Sequence, residues 1–210
     1  MPPLDEEGLT EVIAFREHFD RDDPVAKRPK IVVEVPERLS APHPLVRQAK
    51  DFLKNAKAEE NGVVEAGTNY LAINVSRKSI PRALKIFDAV IKDWEKEGGS
   101  VSVDPTSFCM GKNSVSVTLT ETVKRYEKKP AERRYWYDYG YEPIGKLSLE
   151  IDRYGDGLRK SWKDGKVQTV ESVLGNFISS LHDWMEFLEG ERLDDECEAR
   201  QEKKAQQRLR

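Results

Sequence analysis

The feature that most constrains this chain is a stripe of apolar residues near its C-terminus. Val170, Leu174, Phe177, Leu181, Trp184 and Leu188 follow one another at alternating spacings of four and three. On a helix of 3.6 residues per turn that spacing gathers them on one face. A face of this kind has to be covered, by the protein's own sheet or by a second copy of the helix. A long helix over 169–189 is therefore expected, with Gly175 off the stripe. Ile80, Leu84, Phe87, Ile91 and Trp94 repeat the pattern earlier in the chain. Ser79 suits the N-cap there, Pro81 the first turn, and Gly98-Gly99 the stop, which predicts a helix over 80–97. A third helix is expected over 44–59. Pro42-His43-Pro44 forces an extended entry, and Leu45, Ala49, Phe52, Leu53 and Ala56 then recur until Asn61-Gly62.

Between these helices the period changes to two. Leu71, Ile73 and Val75 alternate with polar neighbours, and a strand near Val101–Val103 completes a strand-helix-strand unit around the second helix. Phe108–Met110 and Val115–Leu119 flank a turn at Gly111-Lys112-Asn113. Leu147, Leu149 and Ile151 alternate again, and after the turn at Tyr154-Gly155-Asp156-Gly157 the chain returns through Leu158–Trp162. The fold class that follows is α+β. A mostly antiparallel sheet runs from Leu71 to about Trp162, covered on one face by helices that include the long C-terminal one. Residues 122–143 show no period, and are expected to be a long functional or disordered loop.

A chain of 210 residues suits one domain with appendages. Residues 1–30 form an acidic N-terminal segment and linker, with eight carboxylates before Pro24 against Arg16 and Arg21. Leu9, Val12, Ile13 and Phe15 would make one face of a short helix there. Ile31–Val35 reads as an edge strand or an extended arm, ended by Pro36. The domain proper spans 31–189. Residues 190–210 hold six acids and six bases with few apolar residues, and are expected to be a frayed helix or a disordered tail.

A net charge of −3 argues against a chain that coats nucleic acid or anionic membrane along its whole length. Two distant cysteines, Cys109 and Cys197, suit a reducing compartment. No stretch is apolar for the length of a membrane span, and the acidic N-terminus lacks the order of a secretion signal, so no membrane partner and a cytoplasmic location are expected.

Catalytic signatures are scarce. His18, His43 and His182 stand apart from one another and from both cysteines, against the paired spacing that zinc sites need. Asp152–Gly157 lacks the alternating oxygens of a calcium loop. Nucleophile elbow, Walker loop and Gly-x-Gly-x-x-Gly fingerprint are all missing, and no cofactor or metal is expected. Asp104, Glu121 and Lys124 lie near strand ends, and are the candidates for a metal-dependent nuclease, the alternative reading.

The most suggestive surface is basic and aromatic. Lys124, Arg125, Lys128, Lys129, Arg133 and Arg134 lead into Tyr135, Trp136, Tyr137, Tyr139 and Tyr141, and Arg159, Lys160 and Trp162 continue the theme. Residues 124–166 hold twelve bases and eight acids on an otherwise acidic chain. Cationic groups bind phosphates, and exposed rings stack on unpaired bases. The expected function is a non-catalytic accessory or regulatory domain that binds nucleic acid or a protein partner through this surface. A third reading is self-association, as a homodimer through the C-terminal helix.

Five short segments carry a resemblance: Pro42-His43-Pro44-Leu45-Val46, Ile73-Asn74-Val75-Ser76, Pro81-Arg82-Ala83-Leu84-Lys85-Ile86, Pro143-Ile144-Gly145-Lys146-Leu147 and Trp162-Lys163-Asp164-Gly165. Over about residues 31–188 the chain resembles a largely uncharacterised bacterial protein family, whose members often begin with a helix-turn-helix segment on a proline-rich linker. The resemblance implies a regulatory or DNA-associated protein. The acidic first 30 residues depart from that pattern, so DNA binding through such a head does not carry over.

Overall fold

A computed structural model describes residues 31–129, 138–153 and 157–208. The fold is α+β. Its elements are helix α1 (Pro44–Asn55), strands β1 (Val63–Glu65) and β2 (Ile73–Ser76), and helix α2 (Ile80–Lys96). Strands β3 (Ser100–Val103), β4 (Thr106–Met110), β5 (Asn113–Glu127), β6 (Tyr139–Ile151) and β7 (Ser161–Lys163) follow. A 3₁₀ turn (Glu171–Val173) leads into helix α3 (Leu174–Arg208).

Seven strands form one sheet. β1-β2-β5-β4-β3 run side by side, and β6 joins β5 on one side and β7 on the other. All pairings are antiparallel except β2 with β5, where Ile73 lies opposite Leu119. That pairing is parallel because α2 and the β3-β4 hairpin return the chain to the same edge, the crossover that parallel strands require.

Strand alternation gives the sheet one apolar face. Val117 opposes Ile151, Leu119 opposes Leu149, and Leu149 opposes Trp162, and all are buried. The helices cover this face. Phe177 of α3 meets Phe108 and Trp162 edge-on at centroid distances of 6.2 and 5.0 Å, and Trp94 of α2 meets Phe108 at 6.2 Å. Such offset ring contacts add to what burial alone contributes. The opposite face carries Ser107, Ser116, Thr118, Thr120, Ser148 and Lys163, as a one-side-covered antiparallel sheet should.

Leu174, Leu181 and Leu188 are all buried against this sheet and helix layer. The stripe expected to offer a dimer seam is therefore already occupied by the protein's own core, which leaves no seam there for a homodimer. Helix α3 also runs on through Gly190 to Arg208, well past the expected end at 189. Arg192 pairs with both Glu189 and Glu196 along this extension, the i,i+3 and i,i+4 links that support an exposed helix.

Residues 31–43 make no ladder, so of the two expectations the extended arm holds. Ile31, Val33 and Val35 face the core while Val32 and Glu34 face outward. Lys85 and Lys92 donate to the Glu37 and Ala41 carbonyls, and the His43 amide donates to Asp88 at 2.7 Å, which lays the arm along α2. Gly175 is where the arm crosses α3. A Cβ there would stand 1.8 Å from the Ile31 carbonyl oxygen, so only glycine permits the crossing.

Candidate functional site

The stretch expected to be a loop is the outer half of two long strands. Beyond Glu121, β5 loses its other neighbours and pairs with β6 alone, from Val123 opposite Pro143 to Glu127 opposite Tyr139. The result is a two-stranded ribbon that leaves the sheet. Among the described residues its tip ends at Lys128, whose amide donates to the Asp138 carbonyl.

Register divides the ribbon into two faces. Val123, Arg125 and Glu127 share one with Tyr139, Tyr141 and Pro143. Tyr139 and Tyr141 are 38% and 49% exposed, too much for core rings. The Arg125 guanidinium stands 4.4 Å from the centre of the Tyr139 ring, a cation–π pair that pre-orients both groups at the surface. The other face holds Lys124 opposite Glu142, Tyr126 lying over Gly140, and Lys128 paired with Asp138 at 3.0 Å. The first face thus carries an arginine–tyrosine pair and a second exposed tyrosine, with Arg125 and Glu127 as its charges, and the other sets lysines opposite carboxylates across the strands.

The base of the ribbon is a buried polar cradle. Between Glu121 and Val123 the register shifts by an irregularity on β6, with Gly145 at φ +77°. A left-handed residue there favours glycine. The Gly145 amide donates to Glu121 Oε1 at 2.6 Å, and the Ser76 amide donates to Glu121 Oε2 at 2.8 Å. Arg82 of α2 donates to the Gly145 carbonyl at 3.3 Å, and makes two-pronged contacts to Asp164 and Glu171 at 2.6–2.9 Å. Asp164 in turn accepts from the Leu147 and Val170 amides, each at 2.8 Å. Four separate stretches of the chain, those holding Ser76, Arg82, Gly145 and Asp164, meet in this cradle.

The electrostatics follow from that geometry. Glu171 first, then Asp164, hold the Arg82 guanidinium protonated well beyond its ordinary range. Burial alone would raise the Asp164 carboxyl. The Arg82 hydrogen bonds and the Leu147 and Val170 amides outweigh it and bring the pKa below the usual carboxylate value. Glu171 behaves alike, with Arg82 overcoming its burial. Every charge here is satisfied by the protein itself, which is how buried ion pairs persist.

Of the expected site residues, Lys124, Arg125, Lys128 and Lys129 all lie on or at the end of the ribbon, but Lys124 and Lys128 share the face opposite to that of Arg125. Arg133, Arg134 and Trp136 lie outside the described residues. Arg159 and Lys160 precede β7, which pairs with β6 only at Ser148–Glu150, far from the ribbon's tip. Arg159 donates to the Ser161 carbonyl and lies 5.2 Å from the Trp162 ring centre. Trp162 is completely buried against Phe177. It offers no stacking face and is withdrawn from the site.

The nuclease constellation does not assemble either. Both carboxylate oxygens of Glu121 are occupied by backbone amides. Asp104 sits in the β3-β4 turn, two strands across and several residues along from Glu121, on the order of 15 Å away at ordinary strand spacings. Lys124 points from the opposite ribbon face. Among the described residues no group of three or more His, Cys, Asp or Glu side chains is placed to hold a metal ion, and no helix is long and apolar enough to cross a membrane.

The residues that the sequence reading missed are Arg82, Asp164 and Glu171, whose partners lie 82 and 89 positions apart. Tyr139 and Tyr141 did carry a signal, since tyrosines recur at every second position from 135 to 141. No family model matches the chain, and neither a curated protein nor a solved structure matches it.

Proposed function

We propose that this protein is a non-catalytic accessory or regulatory domain that grips nucleic acid with its β5-β6 ribbon. The observation that carries the reading is the ribbon face on which Arg125 stands over Tyr139 beside Tyr141, all exposed on strand halves that pair only with each other. A two-stranded ribbon fits the major groove of a duplex, and exposed rings beside cations equally suit unpaired bases. Arg125 and Lys129 would contact phosphates, joined by Arg133 and Arg134, and Trp136 would stack on a base, while Lys124 and Lys128 face the other way. The cradle's part is to fix the angle at which the ribbon leaves the sheet. Such a role fits the regulatory character that the family resemblance implies, and a chain with free, well-separated Cys109 and Cys197 suits the cytoplasm.

The test is fluorescence anisotropy of labelled single- and double-stranded DNA and RNA at two salt concentrations, with and without magnesium. Affinity should fall steeply with salt, and the probe should stay intact in magnesium. Arg133→Ala with Arg134→Ala should reduce the salt slope by about two, one for each cation taken from a phosphate. Absence of binding at micromolar protein would remove this reading and leave a protein partner for the same surface.

A further inference from the structure

A groove of about 500 Å³ lies between the N-terminal arm, α1 and the start of α2. Its apolar lining is Leu39, Leu53, Ile80, Pro81 and Leu84, and its basic rim is Arg38, Lys50, Lys54, Arg77 and Lys85 against Glu37. Arg77 and Lys85 donate only to carbonyls, of Ala56 and Glu37. Among the described residues no carboxylate pairs with any of the five bases. An apolar trough with a cationic rim is complementary to a short anionic amphipathic segment, the groove mode of peptide recognition.

The chain contains such a segment. Residues 5–23 carry eight carboxylates and two arginines, with Leu9, Val12, Ile13 and Phe15 interspersed. We infer that this acidic segment docks in the groove of its own chain, with its apolar side chains on the accessible Leu39, Ile80 and Pro81 and its carboxylates against the lysine rim. Connectivity permits it. The arm is anchored where Ile31 crosses Gly175 and enters the groove wall at Glu37. Six residues of extended chain span about 20 Å, and the eight residues from Asp23 to Ile31 reach about 27 Å, enough to return. Tethering also raises the segment's local concentration to the millimolar range, so weak contacts suffice. The groove is separate from the ribbon, and its occupancy does not depend on nucleic acid binding.

Zero-length carbodiimide cross-linking of the full-length protein tests this directly, with mass spectrometry on an equal mixture of isotopically light and heavy chains. Cross-links from Asp and Glu of residues 5–23 should concentrate on Lys50, Lys54 and Lys85, within one isotopic species. Ile13→Ser leaves every lysine and carboxylate in place and should lower their yield about tenfold, the effect of losing one buried aliphatic side chain. Cross-links that go mainly to Lys124, Lys128 or Lys129 would overturn the assignment. So would links found only between light and heavy chains, or an unchanged yield in Ile13→Ser.

Discussion

The cradle and the ribbon it supports are built from the same residue types and differ in what surrounds them. Arg82 is hydrogen-bonded to two carboxylates and a carbonyl, half-buried between α2, β6 and the turn before α3. Arg125, on a strand that runs out from that cradle, meets the face of a tyrosine and water. A charged group whose hydrogen bonds are all met inside the protein serves the fold. One held in place by a ring, with its donors outward, is placed to meet something else. Charge alone separates neither case, and burial with partners separates both. The comparison predicts that substitutions in the cradle cost stability and those on the ribbon do not.

The largest effect should come from Arg82→Met. It leaves Asp164 and Glu171 without their cation, and removing one partner of a buried pair costs about 3 kcal/mol, less than full burial would because Arg82 is partly exposed. Urea unfolding should show that loss, with a Tm drop of about 6–12 °C for a chain of this size. A loss under about 1 kcal/mol would mean that the cradle is not a structural clamp. Glu121→Gln should rank next. Glutamine keeps one acceptor oxygen, so either the Ser76 or the Gly145 amide loses its partner, at about 1–2 kcal/mol. Full nucleic acid binding together with that loss of stability would separate its structural role from a catalytic one.

Acid should undo the same cradle. Asp164 and Glu171 have folded pKa values lowered below the ordinary ones. The stability they contribute is therefore complete above about pH 5 and lost as pH falls through the ordinary and then the lowered folded values. Urea midpoints of the wild type should decline steadily below about pH 5. In Arg82→Lys, which weakens the two-pronged contacts, the decline should be shallower. Equal slopes in the two proteins would assign the acid loss to other carboxylates.

Much of this architecture was legible in the sequence because burial writes a period. The 170–188 and 80–94 stripes and the alternation at 147–151 each record one covered face. The ribbon buries neither face, so residues 122–127 and 139–146 carry no apolar period, and only the ladder between them makes them strands. Their reading as a loop followed from that missing signal. Trp162 erred in the opposite direction. Counted as an exposed ring because of its basic neighbours, it alternates with Ser161 and Lys163 and pairs with buried Leu149, which turns it inward. The cradle was hidden for a third reason. Its ion pairs join residues more than eighty positions apart, and no local pattern announces such a meeting.

The smallest effect on stability, and the sharpest use of the comparison, belongs to the ribbon face. Tyr141 is half exposed and Arg125 stands over the exposed ring of Tyr139, so neither closes a cavity nor satisfies a buried group. Tyr141→Ala and Arg125→Ala should each leave the urea midpoint within about 0.5 kcal/mol of wild type. Nucleic acid affinity should nevertheless fall about tenfold or more for Tyr141→Ala, the usual loss when a base gives up its stacking ring. Arg125→Ala should also lower the salt slope by about one, because it removes a cation. If both variants bind as wild type, the ribbon's Arg125–Tyr139–Tyr141 face is a solvated surface like its reverse. If they lose stability as well as binding, the aromatic face supports the fold, and the division between cradle and ribbon fails.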